Sequence, residues 1–340
     1  MKAVALTRYL PTYHPESLLD MKLPDPTPGP RDLLVRIDAI AVNPVDTKVR
    51  SPKNTIEAEP RILGWDAAGT VIGVGHEVSL FKVGDAVYYA GDLTRQGCNS
   101  ELQVVDERIV GHKPKSLTPA SAAALPLTAI TAWEALFDRL MIARSANPPE
   151  QRKTILVIGG AGGVGSMAIQ LAAQVAGLHV IATASRPQSV DWCKEFGAHA
   201  VVDHFQDLVS QVRALGHTFV DYVLILNNTD QHLPAAMELI APQGAICSIV
   251  ENTRPLDIAP LKNKSARFCW EMMFTRAMYQ TEDMIQQHHL LNEVAQLVDQ
   301  GVLKTTINQV LSPVNAANLR QAHIQLEAGN TIGKIVLHGF

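Results

Sequence analysis

Six consecutive residues, Gly160-Ala161-Gly162-Gly163-Val164-Gly165, carry the clearest chemical signal in the chain. They spell G-x-G-x-x-G after an apolar run and before a helical pattern. In that setting the first glycine permits a tight turn, and the second lets the backbone approach a pyrophosphate. The third lets helix and strand pack closely. Gly163 and Val164 then open a helix whose free N–H groups and partial positive charge suit phosphate. The plainer alternative is a glycine turn used only for packing. The next apolar run ends Thr183-Ala184-Ser185-Arg186. It carries no acid where an NAD site usually places one against the ribose 2′-hydroxyl. Arg186 is suited to pair with a 2′-phosphate and Ser185 to donate to it, which favours NADPH. Otherwise Arg186 is a solvated residue at a helix entry. Asn227 and Asn228 end a further apolar run, where parallel sheets bind ligands, unless they are ordinary loop residues.

The elements that must position these residues change character along the chain. Up to about residue 120 the sequence reads as short strands broken by turns: LLVRIDAIAV (33–42) after PDPTPGP, GWDAAGTVIGVG (64–75), and KVGDAVYYAG (82–91). This predicts a compact β-barrel or sandwich. SAAALPLTAITAWEALFDRL (121–140) has helical spacing, and NPPEQRK (147–153) is a polar loop. Strands and helices then alternate. TILVIGG, HVIATAS, AHAVVDH, DYVLILNN and GAICSIV are the strands, with helices at 164–177, 189–197 and 232–240. That order predicts a parallel sheet. After residue 250 the regularity lapses until a helix at 282–301.

The bulk properties narrow the function. With 340 residues the chain suits two domains. A net charge of −4 gives no reason to expect a nucleic-acid or membrane-surface partner. No run reads as the ~18 apolar residues of a membrane span, and Pro and charge arrive too early for a signal peptide. Cys98, Cys193, Cys247 and Cys269 form no CxxC, so a reducing cytoplasm is expected.

Four blocks together resemble the medium-chain dehydrogenase/reductases: Asn43-Pro44-Val45-Asp46, GWDAAG (64–69), PLTAITAWEAL (126–136) and AGGVG (161–165). GKIVL near the C-terminus also fits. The quinone oxidoreductase-like branch is the most similar, and FCWEMMFTRAMY (268–279) resembles its zinc-type alcohol dehydrogenase-like subgroup. The resemblance implies an α/β architecture. A GroES-like β-barrel domain would span 1–124 and a Rossmann doubly wound parallel-sheet domain 125–265, with 266–340 returning to the first. It also implies a homodimer with contacts around 245–280.

In the family's zinc enzymes a Cys lies where Asn43 lies, a His where Trp65 lies, and a third ligand near Ala124. None of these ligands is present, so no metal is expected. Gly75-His76-Glu77 falls after the aligned block and reads as a surface turn, and His288-His289 as solvated helix residues.

Without a Lewis acid, alcohol oxidation loses its activating metal. Quinones and α,β-unsaturated carbonyls need less help, because hydride addition yields a delocalised anion that hydrogen-bond donors stabilise. The expected activity is therefore NADPH-dependent, zinc-independent reduction of a quinone or enone. A zinc alcohol dehydrogenase and a nucleotide-binding protein with little turnover remain the alternatives. Asn43 is the first candidate at the reacting centre, orienting nicotinamide or substrate, or else capping the turn before Pro44. Lys48, where many relatives have Tyr, is a candidate carbonyl donor or a solvated lysine. Trp65 walls an acceptor pocket or belongs to the core. The resemblance places Thr128 near the nicotinamide and His204 near the adenosine phosphate, unless His204 is a plain surface histidine; Lys334, near the C-terminal return segment, could reach the cofactor phosphate.

Overall fold

The computed structural model describes residues 1–145 and 152–340, so most of the NPPEQRK loop lies outside the described residues. The chain divides into two compact units, residues 1–130 with 274–340, and residues 131–273.

The first unit is built mainly on antiparallel strands, with Ile307–Leu311 running parallel to Lys334–His338. The alternating burial of Asp32–Ala41 reflects one face turned to the core, as a two-residue side-chain period requires. This strand pairs antiparallel with Ala67–Val74, with Leu102–Asp106 and with the last strand, Lys334–His338. Ile307–Leu311, Ala86–Tyr89 and Val110–His112 complete a seven-stranded sheet. Lys2–Tyr9 pairs separately with Leu19–Lys22 and Lys53–Ile62. The pairing of Val336 with Ala41 brings Lys334 beside the end of Asp32–Ala41, where Asn43 begins a helix.

The second unit is a six-stranded, wholly parallel sheet. Its order is Ala200–Val202, His179–Thr183, Thr154–Ile158, Val220–Ile225, Ile240–Ser248, Arg267–Trp270. Every residue of Thr154–Ile158 is buried, which explains its continuous apolar run. The chain moves outward from this strand in one direction and then in the other. The ends of the strand and of its neighbour Val220–Ile225 therefore form the switch point at which such sheets bind ligands. Leu156, Ile181, Val223 and Ile246 join residues of the covering helices in one apolar cluster.

Several local expectations are corrected. The irregular region after residue 250 contains the sixth strand, Arg267–Trp270. At four residues it is too short to show a period. The helix starting at Gly163 becomes a wider π turn over Leu171–Val175 before Gly177 ends it with φ +66°. By length and composition alone, Pro119–Arg139 is long and apolar enough to cross a membrane. With 83% of its most apolar window buried inside the protein, it is explained as core helix.

Candidate functional site

In the first unit, strand Asp32–Ala41 leads directly into helix Pro44–Arg50, and Pro44 presets the first helical turn. Asn43, at the joint, is only 1% exposed. Its backbone N–H donates to Asp46 Oδ2 at 2.8 Å. Its amide Nδ2 donates to the Trp65 carbonyl at 3.1 Å and to Asp66 Oδ2 at 2.9 Å. Its Oδ1 accepts from Lys334 Nζ. Lys334, itself 3% exposed, also donates to the Val42 carbonyl and to Asp66 Oδ2, each at 2.9 Å. The Leu127 N–H reaches Asp66 Oδ1 at 2.7 Å.

The electrostatics follow from this donor count. Burial raises the Asp66 carboxyl above its ordinary value, opposed first by the Lys334 ammonium. Three donors converge on Asp66, so it is the partner that holds the negative charge. Asp46 is pushed up to about 7, chiefly by burial, with the Asn43 N–H and Lys334 opposing and Asp66 adding to the rise. Its Oδ1 has no hydrogen-bond partner among the described residues. Of the two carboxyls, Asp46 is therefore the more readily protonated. Nearby Cys98 donates to the Asp66 carbonyl at 3.3 Å, and burial holds its thiol neutral.

These contacts correct the roles expected from the sequence. Asn43 does not offer its amide to a ligand, because both ends are committed inside the unit. Lys334 does not reach a phosphate; its ammonium is enclosed by Val42, Asn43 and Asp66. Trp65 is fully buried, donates from Nε1 to the Asp92 carbonyl at 3.1 Å and meets Phe274 edge-on, so it is core. Thr128 is buried and its hydroxyl donates to the Leu125 carbonyl at 3.0 Å. Lys48 is exposed on helix Pro44–Arg50. His288 is not solvated: it is buried, with Nδ1 2.7 Å from the Val110 carbonyl, whereas His289 is exposed. Sequence reasoning missed Asp66; an acid among the apolar residues of GWDAAG is the signal that could have found it.

In the second unit the glycine turn sits at the end of Thr154–Ile158. The left-handed conformation falls on Gly159, at φ +92°, rather than on Gly160. Gly160 is required by packing instead, since a Cβ there would lie 2.9 Å from both Ala182 Cβ and Cys193 Sγ. A Cβ on Gly165 would lie 2.3 Å from the Gly159 carbonyl oxygen, which is the close helix–strand approach expected of it. A Cβ on Gly162 would meet only the Gly159 oxygen, at 3.7 Å. That side is open, and Gly162 has no side chain to cap the helix. A helix N-terminus offers its first-turn N–H groups, here those of Gly163 and Val164, to an acceptor on that side. Thr183 secures the turn, its hydroxyl accepting from the Gly159 N–H at 3.0 Å.

Around the same end of the sheet lie Ser185, half-buried, and Arg186, exposed at the start of helix Pro187–Glu195. His204 follows the neighbouring strand, and its ring lies 4.5 Å from that of Phe205, tilted by 50°. Burial lowers its basicity; Asp203 opposes this and Arg186 adds to it, so Arg186 and His204 share one electrostatic neighbourhood. His232 is pushed down to about 4 by burial and then by His204. Asn227 is exposed and lies beside Gly159. Asn228 is corrected to a helix cap: it has φ +41°, and its side chain accepts from the Gln231 N–H at 3.1 Å.

Residues 29–116 match the alcohol dehydrogenase GroES-like domain family, and residues 196–337 match the zinc-binding dehydrogenase family. A zinc-type alcohol dehydrogenase-like protein of Staphylococcus aureus (strain MRSA252) is 44% identical over 314 residues, 92% of each chain. A crystal structure of a putative zinc-dependent alcohol dehydrogenase from Rhizobium etli shares 49% identity. It superposes with a TM-score of 0.94 over 100% of this chain and 98% of the other. A quinone oxidoreductase of Pseudomonas syringae shares 26% identity and a TM-score of 0.81 over 99% of each chain.

The zinc in those descriptions does not fit the residues here. Catalytic zinc takes thiolate, imidazole or carboxylate ligands. This cluster instead presents an amide, an indole already donating to Asp92, and an ammonium 2.9 Å from the carboxylate of Asp66. Among the described residues, no group of three His, Cys, Asp or Glu side chains is disposed to hold a metal ion.

Proposed function

Because the chain belongs to the medium-chain dehydrogenase/reductase superfamily of oxidoreductases, in its quinone oxidoreductase-like branch, we propose that it is an NADPH-dependent reductase that delivers hydride to a quinone or α,β-unsaturated carbonyl without a metal ion. The observation that carries this reading is the buried Asn43–Asp66–Lys334 cluster. An internal ammonium already balances the carboxylate beside Asn43, which removes the electrostatic reason to recruit a cation. Acceptors that form a delocalised anion are then favoured over alcohols, which need a Lewis acid.

When bound, the reduced nicotinamide supplies the hydride. The chain's own residues do the rest. The N–H groups at Gly163 and Val164 hold the pyrophosphate, and the open side of Gly162 admits it. Ser185 and Arg186 bond the 2′-phosphate, with His204 alongside. Asn227, beside Gly159, borders the cofactor path. Lys48, the exposed member of the expected catalytic set, donates to the developing oxyanion. Exposed Trp270 and Met272 lie at the end of edge strand Arg267–Trp270, and a second copy of the chain is the proposed partner there. Four unpaired cysteines suit a cytoplasmic protein.

The test is NADPH and NADH oxidation by the purified protein with 1,4-benzoquinone, 9,10-phenanthrenequinone and simple enones, with and without a chelator. Chelator-resistant turnover that prefers NADPH is expected. Arg186→Ala should weaken NADPH about tenfold or more while sparing NADH. A preference for NADH, or alcohol oxidation that depends on added zinc, would overturn the reading. One observation favours a second reading, a nucleotide-binding protein with little turnover: Asn43, Trp65 and Thr128 are all turned into the core. Tight NADPH binding with no turnover across the acceptor panel would select it.

A further inference from the structure

The outer strand pair of the parallel sheet holds two thiols opposite one another. Cys247 on Ile240–Ser248 is the register partner of Cys269 on Arg267–Trp270. Adjacent strands lie about 4.8 Å apart, inside the Cα separation that a disulfide spans. Residues in register project to the same face, so the two Cβ atoms point together. Phe268, next to Cys269, packs against the apolar cluster on the opposite face. Arg267–Trp270 is an edge strand with a neighbour on one side only, so it can adjust to a cross-link without disturbing a second ladder.

The two sulfurs are not equivalent. Cys247 is 0% exposed, whereas Cys269 is partly exposed. The Cys269 thiol donates to the Ile246 carbonyl at 3.3 Å. A hydrogen bond from the Cys247 thiol draws Cys269 below the ordinary thiol value against the opposing effect of burial, and Arg267 and Arg139 assist. Cys247 is driven upward by the same hydrogen bond, by burial and by Glu271. The more accessible sulfur, beside one that is wholly buried, is the one placed to attack, and the buried one is placed to resolve. Cys98 and Cys193 are buried and have no cysteine opposite them in a strand register.

We propose that Cys247 and Cys269 form a peroxide-responsive pair that closes to a cross-strand disulfide. The Cys269 thiolate attacks one oxygen of hydrogen peroxide. The O–O bond breaks, and Cys269 becomes a sulfenic acid as hydroxide leaves and is protonated to water. The Cys247 sulfur then attacks the sulfenic sulfur. An S–S bond forms, the S–O bond breaks, and the departing hydroxide takes the Cys247 proton as water. Two thiols lose two electrons, and one peroxide becomes two waters. The side chain of Cys269 lies on the sheet face rather than along the row of edge N–H and C=O groups, so a second copy paired along that edge would not by itself occupy it.

The experiment is peroxide treatment of the full-length folded protein, followed by thiol alkylation and non-reducing peptide mass mapping. A single cross-link joining the Cys247 and Cys269 peptides is expected, reversed by dithiothreitol, with Cys98 and Cys193 still alkylated. Cys247→Ser should leave a dimedone-reactive sulfenic acid at Cys269, and Cys269→Ser should give neither product. Full alkylation of all four thiols after peroxide would overturn the proposal. So would a cross-link between other cysteines, or oxidation of Cys269 past the sulfenic stage with no cross-link in the wild-type protein. The wild-type map decides the matter even if a variant fails to fold.

Discussion

The glycine turn of the second unit and the ion cluster of the first hold their chemistry in different materials. At the turn, backbone N–H groups, a left-handed Gly159 and the missing Cβ atoms of Gly160 and Gly165 make the site. In the cluster, Asn43, Asp46, Asp66 and Lys334 are all buried, and their side-chain charges must balance among themselves. The first kind of site depends on shape and faces outward to a ligand. The second depends on stoichiometry of charge and faces inward. The two should therefore fail differently: the turn by loss of ligand affinity through crowding, the cluster by loss of fold stability through uncompensated charge.

The largest effect should come from the cluster. Lys334→Met leaves Asp66 buried with its counter-charge removed, which costs about 3–5 kcal/mol when one partner of a buried pair is lost. Chemical denaturation should show this as a lower midpoint, and adding Asp66→Asn should recover much of the loss. Equal destabilisation by the single and double variants would mean that charge balance is not what the cluster supplies.

Next comes the turn. Gly165→Ala forces a Cβ to within 2.3 Å of the Gly159 oxygen, an overpacking that costs about 1–3 kcal/mol. Gly162→Ala meets nothing closer than 3.7 Å and should change stability by no more than about 0.5 kcal/mol. Both should weaken NADPH binding measured by fluorescence titration, Gly165→Ala by distorting the turn and Gly162→Ala by filling the approach to it. A Gly162→Ala protein with unchanged affinity would remove the pyrophosphate from that side.

A pH series separates the two materials again, because the cluster holds a carboxyl displaced to near neutrality whereas the turn is built from backbone groups. Asp46 titrates at about 7 in the fold against an ordinary value of 3.8, so the folded state binds its proton more tightly. That contribution is complete below the ordinary value and is lost as pH rises through the folded value. The resulting slope is at most about 1.4 kcal/mol per pH unit. In unfolding free energies measured between about pH 5 and about pH 7, the wild type should lose stability relative to Asp46→Asn as the pH rises. Parallel slopes would place the proton elsewhere.

The same contrast governs how much could be read from the residues alone. Gly160-x-Gly162-x-x-Gly165 was legible because its constraints are local, set by neighbours a few positions away and marked by a residue with no Cβ. Thr154–Ile158 was legible because burial on both faces leaves an unbroken apolar run. The pairing of Lys334 with Asp66 spans 268 positions, and no local pattern announces it; it exists because the last strand returns beside Asp32–Ala41. Asn43 and Trp65 were visible as departures from a zinc pattern. Whether they face a ligand or the core depends on partners such as Asp92, which a spacing argument does not reach. Arg267–Trp270 escaped notice because four residues at a sheet edge carry no period.

The smallest effect falls at Asn228, where the two explanations of one residue come apart. As a ligand, its amide would bond the cofactor, and its removal would weaken NADPH by about tenfold. As a cap, it satisfies the Gln231 N–H and relieves the first turn of helix Thr229–Leu239. Asn228→Gly distinguishes them without a conformational penalty, because glycine accepts the φ of +41° that most residues resist. Replacing a capping Asn by Gly costs only a few tenths of a kcal/mol. The expected variant therefore melts close to the wild type and binds NADPH with unchanged affinity. Asn227→Gly, beside Gly159, should weaken the cofactor instead. If Asn228→Gly lowers NADPH affinity while its melting temperature stays unchanged, the cap assignment fails and Asn228 rejoins the outward-facing site.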